Sequence, residues 1–217
     1  MKVLLIGANG RMGTQMQKYM NKIGIDFCAI DVDSLHKANE YNFDVVIDFS
    51  CHTALSQNLK IALDKNKPML VATTNHTSTN EHMIKLASKQ IPIAVCPNLS
   101  IGFACVMQML KNLKSIKNYD FILTETHHKQ KKDAPSGSAK QILKELSKFG
   151  ISPDVTAFRA GSVVGEHCLY AYGNNEIIEI KHTALSREIF CEGAIKICEK
   201  LINCKKGLYK IKDLLWL

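Results

Sequence analysis

Val3-Leu4-Leu5-Ile6-Gly7-Ala8-Asn9-Gly10-Arg11-Met12-Gly13 is the stretch that decides how this chain folds. Val3 to Ile6 is a continuous apolar run halted by glycine, which reads as a short strand buried on both faces. Met12, Met16, Tyr19, Met20 and Ile23 then recur at helical spacing, and Gly24 closes the helix as a C-cap. Between strand and helix, Gly7, Gly10 and Gly13 supply a tight turn, close backbone approach and N–H donors at a helix start, the requirements of a bound pyrophosphate. Glycines also merely punctuate strand–helix junctions. The context favours a dinucleotide: a strand before, a helix after, and Asp31 at the end of the second strand.

The alternation continues outward from that turn. Strands are expected at Phe27–Ile30, Asp44–Phe49, Met69–Thr73 and Ile91–Val95, with helices over Thr53–Asn66 and about Asn80–Lys89. Such a succession implies an α/β, doubly wound parallel sheet of Rossmann type, with ligands at the C-terminal ends of the strands. Gly7, Asp31, Asp48 to Ser50, Thr73-Thr74 and Pro97-Asn98 then share one crevice. After Asn98 the pattern changes. An apolar helix (Ile101–Leu113) and a strand (Tyr119–Thr126) lead into a polar loop, followed by an amphipathic helix (Ser138–Phe149) with Ile142, Leu143 and Leu146 on one side. Phe158–Ala171 and Ile177–His182 alternate like antiparallel strands, and a last helix spans about Phe190–Leu201. We therefore expect a dinucleotide domain over residues 1–99, completed by about 190–217, and a second α+β domain with a mixed or antiparallel sheet over 100–189. The apolar end Leu214-Leu215-Trp216-Leu217 is expected to pack back on the fold.

Composition narrows the function classes. The 217 residues are 46% hydrophobic, enough for a substantial core, and no apolar run is long enough to span a bilayer. Only Val3 to Ile6 precede Gly7 as an apolar run, too short for a secretory signal, so a cytoplasmic location is expected. The eight cysteines are scattered without a C-x-x-C pair and read as reduced thiols. The net charge of +8 reads first as a Lys-rich surface and second as a field for anionic ligands. Nucleic-acid binding would want basic clusters interleaved with aromatics, and none is present.

Asp31 suits the adenosine ribose hydroxyls, and Val32, Asp33 and Ser34 follow it without an Arg for a 2′-phosphate. NADH is the expected reductant, with NADPH accepted second. Asp31 also reads as a solvated loop carboxylate. The richest stretch for chemistry runs from Glu125 through Thr126, His127, His128, Lys131 and Asp133 to Ala134-Pro135-Ser136-Gly137-Ser138-Ala139. A strand ending in histidine, then lysines, then Ser-Gly-Ser opening a helix can hold a substrate carboxylate or phosphate and donate a proton to it. The same residues read equally as an ordinary N-cap after a solvated basic loop. A metal held by Glu125 and both histidines is disfavoured, because adjacent residues on a strand point to opposite faces.

That stretch resembles the signature of dihydrodipicolinate reductases. The resemblance extends to Gly10-Arg11-Met12-Gly13, Asp48-Phe49-Ser50, Val71 to Thr74, Pro97 to Gly102, Arg159 to His167, His182 to Arg187 and Phe190 to Ala194, in the family's order. It implies reduction of 4-hydroxy-tetrahydrodipicolinate to tetrahydrodipicolinate in diaminopimelate and lysine synthesis, by a homotetramer. By this match His127 is the general acid/base and Lys131 a second proton donor. Ser136 belongs to the substrate clamp, and His128, Gly137 and Ser138 hold the cyclic dicarboxylate. Gly7, Ala8, Asn9, Gly10, Arg11, Met12, Asp31, Ala72, Thr73, Thr74, Pro97, Asn98 and Leu99 line the cofactor, and no metal is implied. Departures from the family pattern are Ala72 and Asn75 in place of glycines, Ser138 for threonine, and Pro97, which lacks an N–H. Two other readings stay open: a catalytically idle dinucleotide sensor, which has no need of His127, His128 and Lys131 together, and a related reductase for another small carboxylate.

Overall fold

A computed structural model describes residues 1–215, which form two compact units. The first comprises residues 1–100 and 188–215, the second residues 101–187. The first unit begins with β1 (Val3–Ile6), α1 (Arg11–Ile23), β2 (Phe27–Ile30), β3 (Val45–Asp48), α2 (Leu55–Asp64), β4 (Met69–Val71), α3 (Ser78–Ala87) and β5 (Pro92–Val95). The second contains α4 (Ile101–Met109), β6 (Asp120–His127), α5 (Gly137–Ser147), β7 (Asp154–Arg159), β8 (Gly165–Tyr172) and β9 (Ile177–Ala184). The chain then returns to the first unit as α6 (Glu188–Leu201), β10 (Gly207–Tyr209) and α7 (Ile211–Leu215).

The first sheet runs β10-β5-β4-β3-β1-β2, with every pair parallel. Alternate residues of each strand face opposite sides, so both faces must be covered. Val3, Leu5, Val45 and Ile47 pack with Met16 and Met20 of α1 and Ile197, Cys198 and Leu201 of α6. Leu4, Ile6, Val46 and Met69 pack on the other side with Leu55 and Leu59 of α2 and Ile84 of α3. Gly24, at φ +72°, caps α1 with its N–H directed at the last carbonyls of the helix.

The second unit differs from the sequence expectation in its strands and in its first helix. Phe158–Ala171 is not one antiparallel strand but parts of β7 and β8, separated by a turn at Gly161. β7 lies parallel to β6, whereas β8 and β9 are antiparallel, giving the order β7-β6-β8-β9. The reason is α5: a helix joining two strands carries the chain back to the starting end, which makes the pair parallel. Ile142 and Leu146 of α5 pack on Leu123, Leu169 and Ala171 of this sheet. The apolar segment after Ile101 is α-helical only to Met109 and continues as 3-10 turns over Leu110–Ile116. Among the described residues, the 3-10 turns of Val32–Glu40, the edge strand β10 and the short helix α7 had no signal in the sequence. Leu214 is fully buried in the first core, while Trp216 and Leu217 lie outside the described residues. All eight cysteines are unpaired thiols, and no helix among the described residues is long and apolar enough to cross a membrane.

Candidate active site

The glycine turn joins β1 to α1 through contacts that exclude side chains. A Cβ on Gly13 would lie 2.0 Å from the Gly7 carbonyl oxygen, so the start of α1 rests directly on the end of the strand. The backbone donors of the turn divide into two groups. Gly7 and Ala8 donate to the Ile30 carbonyl, Asn9 to Asp31 Oδ2 at 2.8 Å, and Gly10 to the Gly7 carbonyl. The next three amides, of Arg11, Met12 and Gly13, open the helix behind Gly10, which has no side chain to cap them. These are the donors left for an anion, and the helix dipole favours one there. The residues present thus fit a pyrophosphate.

Asp31 has a second task. Its Oδ1 accepts from Val32 N–H at 2.8 Å and its own N–H donates to Ser34 Oγ, so it caps the 3-10 turns while tying them to Asn9. A carboxylate has about four acceptor positions, which leaves Asp31 capacity for hydroxyl donors. It borders a cavity of about 500 Å³ together with Gly7, Gly10, Val32, Ser50 and Thr53. Beneath it Asp48 is fully buried and accepts from Ser50 N–H, Ser50 Oγ and Asn58 Nδ2; burial pushes its carboxyl up. Ala72, Thr73, Thr74, Pro97, Asn98 and Leu99 do not line this cavity. They follow β4 and β5 along the same sheet edge, where the Ala72 N–H donates to the Asp48 backbone carbonyl and the Cys96 N–H to the Val71 carbonyl. Asn75 takes φ +60°, a left-handed conformation that asparagine tolerates better than most residues. Thr73 Oγ1 lies 2.8 Å from His76 Nε2, Pro97 is exposed, and Asn98 Oδ1 accepts from Ser100 N–H.

In the second unit the chemistry gathers around one buried carboxylate. Alternation along β6 sends Leu123, Glu125 and His127 inward, and Glu125 is only 1% exposed. Its oxygens accept from Ser136 N–H at 3.1 Å each and from Arg159 Nη2 at 3.3 Å, with His127 Nδ1 at 3.8 Å and His167 Nε2 at 3.6 Å from Oε2. Burial pushes the Glu125 carboxyl up, but hydrogen bonding from Ser136 and the neighbouring His127 and Arg159 hold it below the usual range. Burial lowers His127 first, aided by Lys131 and Arg159 against Glu125, and lowers His167 to about 4. His167 is therefore neutral at neutral pH, and the balance at His127 is moved toward its neutral form. His127 Nδ1, His128 Nδ1 and His167 Nδ1 are buried without hydrogen-bond partners.

The loop between β6 and α5 is held by Arg159, whose guanidinium donates to the carbonyls of Lys131, Asp133 and Phe158 as well as to Glu125. Lys131 Nζ lies 2.8 Å from Asp133 Oδ1. Ser136 caps α5 by accepting Ala139 N–H at 3.1 Å and meets His167 Nε2 at 3.0 Å. Ser136 is 2% exposed and holds the start of the helix from within. Gly137 opens the helix with no atom within 4 Å of a Cβ added there, and its surface is exposed, with Ser138 beside it. Glu125, His127 and His167 bring potential metal-ligand atoms within 4.8 Å of one another. Of these, the Glu125 oxygens and His167 Nε2 are engaged by Ser136 and Arg159, which accounts for them as a hydrogen-bonded group. The second histidine beside Glu125 is thus His167, not His128. Sequence reasoning assigned no role to Arg159 or His167, although both lie in a block that carries the resemblance; His167 also shares the inward register of β8 with Leu169 and Ala171.

The family model for the N-terminus of dihydrodipicolinate reductase matches residues 18–99, and that for its C-terminus matches residues 102–215. The chain belongs to the dihydrodipicolinate reductase family. The N-terminal match begins inside α1, beyond the glycine turn, so the turn is an independent observation. Relatives named 4-hydroxy-tetrahydrodipicolinate reductase include one from Clostridium novyi, 35% identical over 247 residues, covering 99% of this chain and 98% of that protein. Another, from Bdellovibrio bacteriovorus, is 32% identical over 220 residues, covering 99% of this chain and 96% of that protein. Among solved structures, the dipicolinate-bound dihydrodipicolinate reductase from Paenisporosarcina sp. TG-14 superposes with a TM-score of 0.80 at 16% identity, covering 96% of this chain and 97% of the other. At that identity the likeness concerns the fold alone.

Proposed function

We propose that the chain reduces 4-hydroxy-tetrahydrodipicolinate to tetrahydrodipicolinate in diaminopimelate and lysine biosynthesis, with His127 as general acid/base and Lys131 as second proton donor. A nicotinamide dinucleotide supplies the hydride when bound. The observation that carries the residue assignment is the arrangement at the end of β6, where a buried His127 shares Glu125 with Ser136, the cap of the exposed helix N-terminus at Gly137, and Lys131 is ion-paired with Asp133 on the intervening loop. His128, Gly137 and Ser138 hold the substrate carboxylates, the helix N-terminus providing donors and a favourable dipole. Ser136 belongs to the same clamp and caps that terminus from within. Loss of the 4-hydroxyl as water leaves a conjugated cyclic imine, and hydride addition to it places negative charge on the ring. A proton from Lys131, or from His127 once the substrate carboxylates have raised its pKa, neutralises that charge. Fixing both carboxylates presents one ring face and lowers the entropic part of the barrier.

Gly7 to Met12 carry the dinucleotide, with the Arg11 and Met12 amides on the pyrophosphate and Asp31 on the ribose. Ala72 to Thr74 and Pro97 to Leu99 line its nicotinamide side. NADH is favoured over NADPH, since a 2′-phosphate would meet the Asp31 carboxylate. The enzyme works in the cytoplasm, in keeping with eight unpaired thiols. A homotetramer would cover apolar side chains that the second sheet leaves exposed, such as Phe158 and Ile177.

The test is turnover of synthase-generated substrate by the purified chain, followed as oxidation of NADH or NADPH. Substrate-dependent oxidation is expected. Binding of dinucleotide without turnover of this substrate would instead establish a sensor or a reductase for a different carboxylate.

A further inference from the structure

His167 takes no part in the chemistry assigned above, yet it occupies the centre of the group around Glu125. It is 5% exposed, faces Glu125 across the β6–β8 pair in register, and stands 5.2 Å centroid to centroid from the His127 ring. Phe103 closes its other side at 6.0 Å. Its Nε2 sits 3.0 Å from Ser136 Oγ and 3.6 Å from Glu125 Oε2, while Nδ1 has no partner. An ionised carboxylate that close favours the proton on Nε2, and a buried acceptor without a partner costs less than a buried N–H without one. In this tautomer Nε2–H donates to Ser136 Oγ.

Ser136 is thereby pinned at two points. Its N–H is held by Glu125 and its hydroxyl by His167, and the same hydroxyl receives Ala139 N–H at the first turn of α5. The position of the Gly137 end of the helix follows from those two anchors, one on β6 and one on β8. We propose that His167 is a positioning residue for the carboxylate-binding end of α5, acting through the Ser136 hydroxyl without touching substrate. The proposal rests on the reading that this helix end binds a substrate carboxylate.

Loss of one anchoring hydrogen bond at a site that must match a ligand should weaken binding by about tenfold. His167→Ala is expected to raise KM for the dicarboxylate substrate and Kd for pyridine-2,6-dicarboxylate by that factor, with kcat changed far less and NADH affinity unchanged. His167→Gln can place a donor near the Nε2 position and should recover most of the loss. Against Ser136→Ala, the double variant should be no worse than Ser136→Ala alone, since both changes remove one contact. The proposal is overturned if His167→Ala, or His167→Gln should the alanine variant not fold, melts cooperatively but fails this pattern. Such failures are an unchanged KM and Kd in the alanine variant, a glutamine variant as impaired as alanine, or additive losses in the double variant. Failure of the wild-type protein to bind the dicarboxylate would sink the functional reading itself, and this proposal with it.

Discussion

The backbone N–H of Ser136 points between the two oxygens of Glu125, 3.1 Å from each. One inward carboxylate on β6 therefore holds the start of α5, and through Arg159 it also restrains the loop that carries Lys131. Glu125→Ala should leave the Ser136 amide and one arm of Arg159 without their acceptor. The expected cost is about 2–4 kcal/mol. Urea unfolding checks it, with the midpoint falling and the slope unchanged; a loss under about 1 kcal/mol would mean that neither group depends on this carboxylate.

His127→Gln should lower kcat by roughly 10²- to 10⁴-fold, the usual contribution of general acid/base catalysis, with NADH affinity preserved. The pH dependence has a definite sign. Burial, with Lys131 and Arg159 against Glu125, places the imidazole below its ordinary value of 6.5. An acid must be protonated to act, so kcat/KM should fall as pH rises through that depressed pKa. Bound dicarboxylate stabilises the imidazolium and raises its pKa, so the corresponding limb of kcat should lie at higher pH. Coincident limbs, absent from the glutamine variant, would show that substrate charge does not reach His127.

Gly137→Val should abolish protection of the protein by pyridine-2,6-dicarboxylate in thermal melts and raise KM sharply. The fold should tolerate the change, because no atom lies within 4 Å of the new Cβ. Lys131→Ala should weaken the same ligand and lower kcat as well, and NADH-induced stabilisation should survive both substitutions. A folded valine variant that still binds the dicarboxylate would reduce the Ser-Gly-Ser sequence to an N-cap.

Asp31→Ser should move the ratio of kcat/KM for NADH over NADPH toward NADPH, since the carboxylate that would oppose a 2′-phosphate is gone. Some stability should be lost with it, because Asn9 and Val32 both donate to this side chain. Comparison of the two cofactors in wild type and variant decides the point; a wild-type preference for NADPH would overturn the assignment of Asp31.

The sequence by itself determined the parallel sheet, the turn after β1 and the place of His127, Lys131 and Gly137, because each rests on local physics. Strand and helix periods, glycine between them and serine at a helix start are all written in adjacent residues. Asn75 was legible only as a departure; its φ of +60° explains why asparagine could stand there. Other features required the tertiary structure. Asp31 proved to be tied to Asn9, and Ser136 turned inward. β7 pairs parallel to β6, and β10 adds an edge beside β5. Glu125, Arg159 and His167 meet from three strands. No spacing along the chain encodes those meetings, because a buried carboxylate takes its partners from whatever strands the sheet register brings alongside it. Register is set by the whole hydrophobic pattern, so a one-residue slip of β8 would carry His167 to the opposite face.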